Sequence, residues 1–115
     1  MSEAATAGEI VVVLTTVPEP EAAARLLREL VQARLIACGS VVPGLTSIYR
    51  WQDEVVAESE TMLVMKTPRE LVAPLFERIG QLHPYELPEL VALPVEAVST
   101  AYCRWVRRET IEVNA

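Results

Sequence analysis

The sequence predicts an α+β fold of the ferredoxin-like type: a βαββαβ sandwich with a long bent β-hairpin and a short C-terminal helix. Three observations carry this expectation. Apolar patterning alternates between strand-like runs and helix-like stripes in the order β-α-β-β-α-β, followed by one more short helix. The two middle strands are separated only by a polar turn, so they form a hairpin, and right-handed crossovers then give a four-stranded antiparallel sheet with two helices on one face. Finally, 115 residues suit one compact domain and exclude two. Residues 10–115 are taken as that domain and residues 1–9 as a flexible N-terminal arm.

Each element has its own signal. Ile10-Val11-Val12-Val13-Leu14 is a short, largely β-branched run, the pattern of a strand buried on both faces, and Thr15-Thr16-Val17-Pro18 ends it. Pro20 suits the first turn of a helix, where its missing N–H costs nothing. Ala23, Leu26, Leu27, Leu30 and Val31 then recur at helical spacing as one apolar stripe. From Leu35 to Trp51 the chain reads as extended, with a bend or bulge at Pro43-Gly44. Gln52-Asp53-Glu54 is the hairpin turn, and Val55–Lys66 is the returning strand with its core half at Met62-Leu63-Val64-Met65. Thr67-Pro68-Arg69-Glu70 has the form of a capping box, and Val72, Leu75, Phe76, Ile79 and Leu82 form the second apolar stripe. Pro74 conflicts with a regular helix starting at that box, so the helix kinks there or starts nearer Pro74. Leu90-Val91-Ala92-Leu93 is the last strand, and Ser99 or Thr100 caps the final helix, which carries Tyr102, Trp105 and Val106 on one face.

The extended stretch is too long for so small a domain. Its seventeen residues, Leu35–Trp51, span about 56 Å. A hairpin of that length overhangs the body and leaves strand edges unpaired. A second copy of the same chain is the simplest partner for them.

Composition narrows the function. The net charge is −6, which argues against binding a nucleic-acid backbone. No apolar run approaches the ~20 residues of a membrane span, so no membrane contact is expected. Neither part of a secretory signal is present, and Cys38 and Cys103 are in no ligand-like spacing, so we expect a cytoplasmic protein with reduced thiols. No nucleophile–base pair is visible, and we expect no enzyme. Cys38 lies in an apolar run and reads as an inert thiol. Glu58 and Glu60 share a strand face and read as solvated hairpin residues.

His83 is the single histidine and reads two ways. It is a ligand for copper or another divalent cation, with Glu86 and Glu89 as nearby oxygen donors, or a loop residue hydrogen-bonded to backbone.

Several stretches, taken together and in order, carry a resemblance: Leu35-Ile36-Ala37-Cys38, Pro43-Gly44-Leu45-Thr46-Ser47-Ile48-Tyr49-Arg50-Trp51, Lys66-Thr67, His83-Pro84-Tyr85-Glu86-Leu87-Pro88-Glu89, Ala92-Leu93-Pro94, and Tyr102 with Trp105. In these the chain resembles the CutA family of divalent-cation tolerance proteins. The resemblance implies a ferredoxin-like homotrimer, kinship in architecture with the PII signalling proteins, and a role in tolerance of copper and other divalent metals. Thr15 stands where some members carry a cysteine proposed as a copper ligand, so no thiolate-assisted site is implied here. In a PII-like trimer, Tyr49, Trp51, Lys66, Tyr85 and Trp105 are candidates to line an intersubunit cleft for a small molecule or nucleotide. No glycine-rich phosphate loop accompanies them.

Overall fold

A computed structural model describes residues 9–113. The N-terminal arm expected at 1–9 lies outside the described residues except for Glu9. Its carbonyl accepts from the Arg69 N–H at 3.1 Å, and its carboxylate accepts from the Cys103 thiol at 3.3 Å. Seven elements follow: β1 (Ile10–Val17), α1 (Pro20–Gln32), β2 (Cys38–Trp51), β3 (Glu54–Pro68), α2 (Val72–Leu82), β4 (Val91–Pro94) and α3 (Thr100–Arg108). The sheet order is β2-β3-β1-β4, with every neighbouring pair antiparallel. This is the ferredoxin-like arrangement expected from the element order.

The sheet register divides its side chains cleanly. Val11, Val13 and Val17 of β1, with Leu63 and Met65 of β3, face the helices and pack against Leu26, Leu27, Leu30, Leu75 and Ile79. The Gly39 backbone passes so close to α1 that a Cβ there would clash with a Leu27 methyl. The opposite face carries Val12, Leu14, Met62 and Val64, all half-buried, and Val42, Val91 and Leu93, all exposed. At one end of that face α3 covers Ile10 and Ala37 with Cys103 and Val106. The burial of β1 on both faces that its sequence implies is therefore complete on one face only; on the other a single chain buries Ile10 and Thr16 and leaves Val12 and Leu14 half-buried.

The hairpin is as long as the sequence implies. β1 pairs with β3 from Thr61 to Pro68, so Glu54–Glu60 pair with β2 alone. The molecule is 48 Å along its longest axis and 25 × 22 Å across. The register slips between Val42 and Leu45, and Gly44 takes a left-handed φ of 78° there, which makes Pro43-Gly44 a bulge. Gln52 and Asp53 both have positive φ, at 49° and 67°, as a tight two-residue hairpin turn requires.

Two local expectations are corrected. β1 runs on through Thr15-Thr16-Val17, because β-branched threonines pair well opposite Leu63 and Met62. The capping box at Thr67–Glu70 does not form. Thr67 belongs to β3 and donates to the Leu35 carbonyl at 2.6 Å instead. Glu70 accepts from Arg107 at 3.0 Å. A 3-10 turn, Arg69–Leu71, intervenes, and the regular helix begins at Val72, so Pro74 sits in its first turn, where it is tolerated. Ser99 does cap α3, its hydroxyl accepting from the Tyr102 N–H at 3.1 Å.

Candidate functional site

The hairpin's overhang and the loop after α2 enclose a groove of about 860 Å³. One wall is the sheet face that carries Ser47, Tyr49, Trp51, Glu58 and Glu60, and the other is the loop from Pro84 to Glu89. Thr16, at the end of β1, is at its base. Pro84 and Pro88 fix the loop's backbone φ at two positions, and His83 anchors its start.

His83 is 8% exposed. Its Nδ1 accepts from the Tyr85 backbone N–H at 3.0 Å, which puts the ring proton on Nε2. Nε2 then donates to the Thr16 carbonyl at 2.9 Å, with the Thr15 hydroxyl 3.1 Å from the same nitrogen. The Tyr85 ring lies 5.0 Å away, centroid to centroid. Burial pushes the imidazole pKa below its ordinary value, although the Thr16 carbonyl and the Glu60 carboxylate oppose this. His83 therefore fastens the loop to the end of β1. Of the two readings of this residue, the geometry matches the backbone-bonded one.

Tyr85 meets a carboxylate across the groove, and Tyr49 meets one along the sheet wall itself. Tyr85 donates to Glu60 at 2.6 Å and Tyr49 donates to Glu58 at 2.7 Å. Burial and the Glu60 bond hold the Tyr85 hydroxyl well above the ordinary phenol range. The Glu58 bond, and then desolvation, raise that of Tyr49. Both phenols stay protonated and stay donors at neutral pH. Glu58 and Glu60 do share a face, as the alternation implies. Glu60, however, is 7% exposed rather than solvated, because the loop closes over it and supplies Tyr85. Only the long-range position of the loop reveals this.

The expected cleft set is brought together in part. Tyr49, Trp51 and Tyr85 line the groove. Lys66 does not; it lies on the open sheet face, in register with Val12 and Cys38. Trp105 packs on Tyr102 with ring centroids 5.6 Å apart, beside the small core of Ile10, Ala37, Cys103 and Val106. Cys38 and Cys103 are both free thiols. Cys38 is half-buried against the Tyr102 hydroxyl at 3.2 Å. Burial, with that contact, pushes the phenol pKa up to about 12.

The expected metal set fits a cation poorly within one chain. Both His83 nitrogens are committed to backbone groups, so neither offers a lone pair without breaking the latch. Glu86 and Glu89 are exposed along the groove. Among the described residues no group of three His, Cys, Asp or Glu side chains is placed to hold a metal ion.

Comparison with known proteins gives a consistent picture. The profile of the CutA1 divalent ion tolerance protein family matches residues 11–109. The divalent-cation tolerance protein CutA of Thermus thermophilus is 50% identical over 99 residues, covering 86% of this chain and 96% of that protein. The chloroplastic protein CutA of Arabidopsis thaliana is 38% identical over 110 residues, or 96% of this chain, which spans only 60% of that longer protein. The solved structure of CutA from Synechococcus elongatus superimposes with a TM-score of 0.89 at 35% identity, covering 94% of this chain and 96% of that one. With the matched positions running from β1 to the end of α3, the chain belongs to the CutA1 divalent ion tolerance family.

Proposed function

We propose that this chain acts in divalent-cation tolerance as a cytoplasmic, non-enzymatic homotrimer. The observation that carries the assembly is the uncovered sheet face. The β1 run is apolar at every position, yet Val12 and Leu14 are only half-buried and continue into the exposed Val91 and Leu93. Beside that face, seven residues of β3, Glu54–Glu60, have an unpaired edge. Neighbouring copies cover both features at once. The family's role in tolerance supports the cation part. Because the described residues of one chain gather no ligand set, contact with the cation is made through exposed oxygen donors such as Glu86 and Glu89, joined by those of a neighbouring subunit, and not through His83.

The test has two arms. Light scattering at micromolar concentration is expected to give about three times the 12.7 kDa of the chain. Calorimetric titration with Cu²⁺ is expected to show binding that Glu86→Gln/Glu89→Gln weakens and His83→Ala leaves in place. A monomer overturns the assembly, and loss of binding in His83→Ala alone overturns the donor assignment.

A second reading, a PII-like sensor of small molecules, is favoured by the groove itself. Its volume of about 860 Å³ and its aromatic lining are those of an ordinary ligand pocket.

A further inference from the structure

The geometry points to a small organic cation, an amine carrying more than one ammonium group, as the ligand of the groove between the hairpin and the 84–89 loop. This rests on the small-molecule reading above and gives it a ligand class. Glu58, Glu60, Glu86 and Glu89 line the groove against one guanidinium, Arg50, which leaves three net negative charges on the lining. An anion entering it meets net repulsion.

Hydrogen-bonding capacity points the same way. The Tyr49 and Tyr85 hydroxyls are already donating to Glu58 and Glu60. A ligand that needs donors has lost the two best-placed phenols. A carboxylate has about four lone-pair sites, and a tyrosine bond takes one of them. The lining therefore has acceptors to spare and few strong donors, which suits a guest with several N–H groups. Tyr49, Trp51 and Tyr85, which line the groove, add the attraction of aromatic rings for ammonium and alkylammonium groups. A metal ion is a poorer guest, because it needs ligands converging within about 2–2.6 Å and no such group of three is present among the described residues. An extended amine can use carboxylates that are spread along the groove.

The test uses the full chain in its assembled form, titrated calorimetrically with spermidine and, separately, with citrate as an anionic probe. Spermidine is expected to bind, and citrate is not. Glu58→Gln/Glu60→Gln keeps an acceptor oxygen for each tyrosine but removes two charges. It is expected to weaken spermidine about tenfold, the loss of two partly screened ion pairs. Binding of citrate without spermidine overturns the ligand class and keeps the small-molecule reading. Binding of neither probe overturns both. Equal spermidine binding by wild type and the double variant places the amine elsewhere and overturns the site. Loss of the oligomer in the double variant, by light scattering, assigns these carboxylates to a neighbouring subunit and also overturns it.

Discussion

His83→Ala separates a latch from a ligand. The substitution removes the bond from Nε2 to the Thr16 carbonyl and the bond from the Tyr85 N–H to Nδ1. Each is worth about 1 kcal/mol net, and a stranded buried donor or acceptor costs about 1–3 kcal/mol. The ring contact with Tyr85 is lost as well. A destabilisation of about 3 kcal/mol is expected, read from denaturant midpoints at fixed protein concentration, because any subunit pairing makes the midpoint depend on concentration. The Tyr85 amide is expected to lose its protection from hydrogen exchange in the same variant, while Cu²⁺ binding persists. Unchanged stability together with abolished copper binding would refute the latch and restore His83 as a ligand. The wild-type pH profile provides a second check. Burial holds the folded pKa of His83 below 6.5, so the unfolded chain takes up the proton first. Stability is therefore full above 6.5 and falls as pH drops from 6.5 towards the folded pKa. His83→Ala is expected to lack that part of the slope.

Other substitutions test the remaining claims. Val64→Glu puts a charge in the middle of the open sheet face; it is expected to turn the assembly into monomers in light scattering while leaving the far-UV dichroism intact, and a surviving oligomer would place the contact elsewhere. Gly44→Ala has no atom within 4 Å to clash with, so its expected cost of about 1 kcal/mol in the denaturant midpoint is purely that of the 78° φ. Arg107 bridges Glu70 at 3.0 Å and Glu112 at 2.9 Å on the surface, and Arg107→Ala is expected to cost about 1 kcal/mol or less. The Arg107 bond holds the Glu70 carboxyl below 4.5, so this contribution is present above 4.5 and is lost as pH falls further, a limb that Arg107→Ala should flatten.

Most of the fold is legible from one-dimensional pattern because its determinants are local. Pro20 marks the start of α1, the Gly44 bulge follows a Pro-Gly pair, and Ser99 caps α3 where its hydroxyl can reach back to Tyr102. The capping box at Thr67 is misread for a tertiary reason. Thr67 is claimed by the sheet and by the Leu35 carbonyl, and no local signal shows a competitor 32 residues away. Pro74 is the residue that betrays the true start of α2.

The groove is harder to read than the fold, for the same reason. The predicted hairpin already brings Tyr49 near Glu58, but the Glu60–Tyr85 bond joins residues 25 positions apart that nothing in the sequence pairs. Alternation places Glu58 and Glu60 on one face, but only the returning loop buries Glu60. The case of Thr15 is similar. The resemblance singles it out, but nothing in the sequence places it near the histidine; in the fold its hydroxyl lies 3.1 Å from His83 Nε2. A cysteine at that position would put a sulfur beside the imidazole, where a soft metal finds two ligands side by side. Threonine offers only a weak hydroxyl, and the imidazole proton turns to the Thr16 carbonyl instead. Thr15→Cys is expected to raise Cu²⁺ affinity in a way that depends on His83, and an unchanged titration would show that the pair cannot open to admit a metal.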